Sequence, residues 1–246
     1  MGGVVTDPPT IALVTGAGRE REIGTAVCRA LAARGHAVAF TVAPGGDGGA
    51  LAGELGAEAI EADLADRDAA VAVLDEVAAR LGRPPSVLVN NAAHSANGGY
   101  ADMDAATLDA HYAVKVRTPV LLSCELARRH PRGAPGRIVC ITSGQSLGPM
   151  LGELPYATTK AALEMFARQL APEVMGLGIT VNAVNPGVTD TGWITDDLRA
   201  ELLPRMPAGR LGEAEDAARL IAWLCSPEAA WVTGQVIGSE GGFVRG

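Results

Sequence analysis

Tyr156 and Lys160 stand four residues apart in YATTK, so a helix would present a phenol and an ammonium on one face. That pairing suits a tyrosine acid/base, because a fixed cation nearby favours phenolate and draws its pKa down. The chain has two lysines, Lys115 and Lys160, against 18 arginines. A lysine four residues after a tyrosine therefore reads as required rather than incidental. Ser143, in CITSG, lies thirteen residues before Tyr156 at the end of a strand-like run. Its hydroxyl there can meet the same substrate oxygen, although a lone serine at such a place is equally a turn residue.

A second candidate is TGAGREREIG, from Thr15 to Gly24, between an apolar run and an alanine-rich segment. Gly16 and Gly18 permit a tight turn, and Ile23-Gly24 opens a helix whose first amides can meet a phosphate. The arginines Arg19 and Arg21 and the glutamates Glu20 and Glu22 are unusual in a phosphate loop. A carboxylate at Glu22 would compete with phosphate at the helix N-terminus. The expectation is that Glu22 turns outward or pairs with Arg19 or Arg21, leaving an arginine for a cofactor phosphate.

These residues need a scaffold, and the pattern supplies one. IALVT, HAVAFTVA, AEAIEADL, SVLVNN, GRIVCITS, ITVNAVNPG and GQVIGSEGG are strand-like. Between them fall helical stretches, among them DRDAAVAVLDEVAARLG, a long helix from about Met103 to His130, and LPYATTKAALEMFARQLAPEV. Strands that are apolar throughout are buried on both faces, which marks a parallel sheet between helical layers. In such doubly wound sheets ligands bind beyond the C-terminal strand ends, where the motifs lie. One domain is expected over residues 10–246, with a disordered tail over 1–9.

The bulk numbers narrow the function. The chain has 246 residues, 48% of them hydrophobic, with net charge −8, and its pI is near 5.0. That balance argues against nucleic acid or anionic membrane as the main partner and favours small-molecule chemistry. Cys28, Cys124, Cys140 and Cys225 are scattered and form no CxxC pair, which fits reduced thiols in a cytoplasmic protein and no metal site. The opening MGGVVTDPPT lacks the features of a signal peptide.

In this order the motifs resemble the short-chain dehydrogenase/reductase family, most closely its 3-oxoacyl-carrier-protein reductase type. The likeness runs from Thr10 to Phe243: Thr15-Gly16, Asp63-Leu64, NNAA (Asn90 to Ala93), Ser143, Tyr156/Lys160, Asn185-Pro186-Gly187 with Thr191, and TGQVIGSEGGF. The resemblance implies a single Rossmann-like domain, α/β, with a seven-stranded parallel sheet in the order 3-2-1-4-5-6-7. It implies hydride transfer between a nicotinamide and a carbonyl or secondary alcohol. Ser143 would hold the carbonyl oxygen, Tyr156 would move the proton, and Lys160 would bind the ribose and lower the Tyr156 pKa. Gly16, Gly18, Ile23, Asp63, Leu64, Asn90, Ala92, Pro186, Gly187, Val188 and Thr191 would contact the dinucleotide. His94, Gln145, Met150, Leu151 and Trp193 would face substrate. Residues from about 188 to 210 would form a lid whose Trp193, Ile194, Leu198, Leu202 and Met206 make an apolar wall; simple helix packing is the other reading.

The family also implies a homotetramer or homodimer. A carrier protein could dock on ARRHPR (Arg128, Arg129, His130, Arg132), although charge complementing a helix end explains that cluster as well. The acidic residue that selects NAD at the end of the second strand is replaced by Val42, with Ala43 after it. With Arg19 and Arg21 nearby, NADP(H) is favoured over NAD(H).

Lys115 departs furthest from the pattern. In HYAVKVRTP the family carries asparagine at that place, where it bends the long helix and holds a proton-relaying water. A second ammonium near Lys160 is repelled by it and cannot accept hydrogen bonds as an amide can. Three readings stand. Lys115 snorkels out of the site and leaves a slower relay; it is recruited for an acidic substrate or a tuned proton transfer; or carbonyl reduction is weak and the fold serves non-redox chemistry (isomerase, cyclase or lyase) or binding.

Overall fold

The computed structural model describes residues 10–94 and 98–244; the expected tail over 1–9 lies outside them. Among the described residues, seven strands alternate with eight α-helices. The first half runs β1 (Ile11–Val14), α1 (Ile23–Ala32), β2 (Ala37–Val42), α2 (Gly49–Leu55), β3 (Glu58–Glu61), α3 (Ala69–Leu81), β4 (Val87–Asn90) and α4 (Ala105–Tyr112). The second runs α5 (Thr118–Arg129), β5 (Gly136–Ile141), α6 (Leu154–Val174), β6 (Ile179–Asn185), α7 (Asp196–Leu202), α8 (Ala214–Leu224) and β7 (Val236–Gly238). The strands form one sheet in the expected order, β3-β2-β1-β4-β5-β6-β7, with every pairing parallel.

Successive strand residues feed two separate cores, which explains why the strands carry no polar face. Leu13, Leu88, Ile138 and Val181 pack with Leu74, Leu122 and Leu163 from α3, α5 and α6. Val14, Val89, Val139 and Val184 point the other way and pack with Val27, Leu31 and Ile221 from α1 and α8. With both faces covered, polar chemistry is left to the strand ends.

Two elements depart from the sequence pattern. α2 forms directly after a glycine-rich turn and itself contains Gly49 and Gly53. The expected long helix over about 103–130 is divided: α4 ends at Tyr112, Ala113–Arg117 forms a π-helical turn, and α5 resumes at Thr118. A π turn inserts one residue into the helical repeat and is found mostly at functional sites. Here it places Lys115, its middle residue, inside the protein, fully buried. Among the described residues no helix is long and apolar enough to cross a membrane.

Candidate active site

The turn after β1 is held by its neighbours rather than by itself. The Thr15 hydroxyl accepts the amides of Asn91 at 3.0 Å and Ala92 at 3.1 Å. The Asn91 side chain donates to the carbonyls of Thr15 at 3.0 Å and Gly16 at 2.5 Å. Gly16 donates to the Thr41 hydroxyl and Gly18 to the Thr25 hydroxyl, each at 3.0 Å. Packing leaves no room for side chains: a Cβ on Gly16 would lie 2.7 Å from Ala92 Cα, and one on Gly24 would lie 2.2 Å from the Gly16 carbonyl oxygen. Gly16 also has φ +71, which favours glycine. Asn91 belongs to the NNAA motif, yet its bridging role is visible only once β1 and β4 lie side by side.

The inserted charges are engaged. Glu22, the residue before α1, makes no capping bond and pairs with Arg19 at 3.6 Å. Arg21 reaches Asp190 at 3.0 Å, and Arg199 of α7 meets the same carboxylate. Asp190 thus ties the inserted loop to α7, a contact that neither segment announces in sequence.

Tyr156 and Lys160 sit in the first two turns of α6, beside Ser143 just beyond β5. Burial raises the Tyr156 pKa; a hydrogen bond from Ser143 opposes this, and the Glu153 charge adds to it. In this geometry the charge of Lys160 is not among the causes that shift the phenol. The Lys160 amine lies 5.6 Å from the Tyr156 ring centre and donates instead to the Ile141 carbonyl at 2.6 Å. Burial also drives Lys160 towards neutrality, lowering its own pKa to about 8. Its closest hydrogen-bond partner is the Ile141 carbonyl rather than the phenol.

Lys115 approaches the same ring. Its Nζ lies 4.4 Å from the Tyr156 ring centre and 2.6 Å from His111 Nδ1. Both residues are 0% exposed, so the reading in which Lys115 snorkels to solvent is wrong: the π turn aims its stem inward. Burial lowers its pKa to about 7, helped by repulsion from Lys160 and opposed by Glu153. His111 was not singled out by its residue type, although it precedes Lys115 by four residues as Tyr156 precedes Lys160. His94, exposed after β4, meets His111 edge to face at 5.0 Å between ring centres.

Asp63 is exposed and accepts the Ala65 amide at 2.9 Å, while Leu64 is buried and its carbonyl accepts the Thr118 hydroxyl at 2.7 Å. Asn90 is buried with its amide donating to Ser123 at 3.0 Å, and its Oδ1 has no protein partner. The turn after β6 is fixed by Asn185, which accepts the Gly187 amide at 3.0 Å and donates to Glu240 at 2.8 Å. Pro186, Val188 and Thr191 flank that turn, half-buried. Ser143 also reaches the Met150 sulfur at 4.0 Å.

Gln145 donates to Glu164 of α6 at 2.5 Å. Leu151 and Trp193 are exposed. Leu202 and Met206, expected in an apolar wall, are instead buried against Leu211 with Val188, Ile194, Leu198 and Phe243. The segment thus spends those side chains on its own packing. In ARRHPR, Arg128 and Arg129 pair with Glu125, and Arg129 also pairs with Asp75, while the His130 ring meets the Ala134 carbonyl at 2.9 Å.

Comparison with known proteins places this geometry. Residues 16–244 match the family model described as enoyl-(acyl carrier protein) reductase. The uncharacterized oxidoreductase YjdA of Bacillus subtilis (strain 168) is 49% identical, covering 96% of this chain and 97% of its own. The 3-oxoacyl-[acyl-carrier-protein] reductase FabG of Escherichia coli (strain K12) is 36% identical over 95% of this chain and 96% of its own. Among solved structures, a short-chain dehydrogenase from Burkholderia cenocepacia J2315 in complex with NADP superposes with a TM-score of 0.85 at 35% identity. It covers 95% of this chain and 97% of that one.

The buried amine has a measurable consequence for stability. Between about pH 7 and the ordinary lysine value of 10.5, the unfolded chain holds a proton at Lys115 that the folded chain lacks. Stability from this group therefore rises with pH across that window, by at most roughly 1.4 kcal/mol per unit. Lys115→Met should be stabilised relative to the parent most strongly below pH 7, with the gap narrowing towards pH 10. Urea denaturation at pH 6, 8 and 9.5 measures it; a gap that does not change with pH contradicts the assignment.

Proposed function

The chain belongs to the short-chain dehydrogenase/reductase family and is an oxidoreductase of it, and we propose that it is an NADP(H)-dependent reductase of a small to medium, partly apolar carbonyl substrate. The observation that carries this reading is Tyr156, whose protonated form burial favours, standing close to the Ser143 hydroxyl. A neutral phenol beside a second hydroxyl is an acid ready for a carbonyl oxygen.

The residues present fit a dinucleotide. Gly16 and Gly24 let the turn after β1 pack closely on the end of β4 and the start of α1, the first turn of α1 carries no capping side chain, and the buried Asn90 Oδ1 has no protein partner. When bound, the reduced dinucleotide supplies the hydride. Gly16, Gly18, Ile23 and Ala92 would line its pyrophosphate side, with Asp63, Leu64 and Asn90 on the adenosine side. Pro186, Gly187, Val188 and Thr191 would hold the carboxamide end. Lys160 would bind the ribose, and Ser143 would steady the carbonyl oxygen while Tyr156 gives it a proton. Met150, Leu151, Trp193 and His94 supply the apolar and polar contacts left for substrate, with the segment over 188–210 as a lid.

NADP(H) is preferred in this reading because Val42 and Ala43 offer no carboxylate to a ribose diol, and Arg19 is 89% exposed on the opening loop. Leu108, Tyr112, Leu121 and Met165 are exposed on α4, α5 and α6, which supports assembly of two or four copies. Four free cysteines suit a cytoplasmic setting.

Consumption of NADPH and NADH over a carbonyl panel tests the reading. Turnover with NADPH is expected, with kcat/KM reduced by roughly 10²–10⁴-fold in Tyr156→Phe and dinucleotide binding retained. Tight binding without consumption by any carbonyl contradicts it. For the cofactor preference, replacing Arg19 and Arg21 together with alanine should weaken NADPH by roughly tenfold or more and NADH little. Equal losses would sink the preference.

A further inference from the structure

Every turnover that removes the Tyr156 proton must return one, and two amines stand beside the half-buried ring. Lys160 donates to the Ile141 carbonyl. The face of the phenol ring is covered by another amine, Lys115, which no water can reach from solvent directly because it is 0% exposed. Its nitrogen has a partner of the right chemistry: His111 Nδ1 at 2.6 Å, close enough for one proton to be shared between two basic nitrogens. His111 is itself fully buried and touches the ring of His94, which is exposed at the mouth of the site. Three titratable side chains from three segments therefore run from the phenol to the surface: the π turn, α4, and the loop after β4.

We propose that Lys115 and His111 are the proton-return route of Tyr156, with His94 as its outlet to solvent. The proposal rests on the carbonyl-reductase reading. In each reductive turnover the Tyr156 O–H bond breaks and its proton goes to the substrate oxygen, leaving phenolate. Lys115 as ammonium gives one proton to that phenolate and becomes a neutral amine. His111 reprotonates the amine, and His94 or solvent reprotonates His111, so charge and protons balance over the cycle. The lysine stem suits this task, being a compact donor on four flexible carbons.

The surrounding charges favour a mobile proton. Lys160 opposes a full charge on Lys115 and Glu153 partly restores it. The outcome is an amine that gains and loses its proton near neutral pH. Three nitrogens thus take the part that an amide-held water plays in the family's usual arrangement.

Stopped-flow and steady-state NADPH oxidation with the best carbonyl substrate test the route. In the first turnover Tyr156 already carries its proton, so loss of the route should slow later turnovers more than the first. His111→Ala is expected to widen the ratio of first-turnover rate to steady-state kcat by roughly tenfold or more, with added imidazole closing the gap. Lys115→Met should widen the ratio likewise without imidazole rescue, and His94→Ala should do so to a smaller extent. Equal slowing of first and later turnovers in His111→Ala and Lys115→Met, or no slowing in either, overturns the route while leaving the reductase reading intact. A parent enzyme that consumes neither dinucleotide with any carbonyl overturns the reductase reading and the route together.

Discussion

Two buried amines crowd one half-buried phenol at the C-terminal edge of the sheet, and most of the site follows from how that crowding is relieved. An isolated buried ammonium costs several kcal/mol, so the group shifts its pKa and sheds its charge rather than pay it. Lys160 relieves the strain with the Ile141 carbonyl, and Lys115 with His111. Both amines titrate well below the ordinary lysine range, to about 8 and about 7. Tyr156 moves the other way, because burial disfavours phenolate as it disfavours ammonium. The ammonium of Lys115 thereby becomes a stronger acid than the phenol, so that a proton passes downhill from it to a phenolate.

The scaffold makes this possible through two local devices. The π turn at Ala113–Arg117 rotates Lys115 inward, where an unbroken helix would continue the 3.6-residue repeat. Asn91 and the Thr15 hydroxyl join the turn after β1 to the end of β4. That clasp sets the glycine cradle at a fixed distance from the edge where the catalytic side chains stand. Neither device depends on the bulk of the core, which would hold the same sheet without them. The Asp190 contacts with Arg21 and Arg199 add a third link, between the inserted loop and α7.

Much of the architecture is legible in the sequence because it depends on local pattern. The seven apolar runs mark the seven strands, and LPYATTKAALEMFARQLAPEV coincides with α6. α2 escapes notice because glycine is a poor helix former; only packing of Leu51 into the sheet's core selects a helix there. The break at 113–117 is hidden in its composition, which is ordinary for a helix, and only the family resemblance points to a bend at Lys115. At the site, the Tyr156–Lys160 spacing is visible from residue types, whereas the inward turn of Lys115 is not. A lysine on a helix is normally solvated, and nothing near it in sequence other than His111 hints otherwise. Leu202 and Met206 look like a wall over a ligand, but the segment needs them to pack against Leu211. Apolarity says that a side chain is covered, not by what.

The account turns on Lys115 being a buried amine that is largely neutral above neutral pH, and a chain with two lysines allows that to be read directly. With lysine labelled at the ε carbon, NMR titration gives two side-chain resonances, assigned by the one that disappears in Lys115→Met. The account predicts that the Lys115 resonance titrates near pH 7 and that the Lys160 resonance titrates near pH 8. A Lys115 resonance that holds its ammonium shift up to about pH 10, as a solvated lysine does, would contradict it.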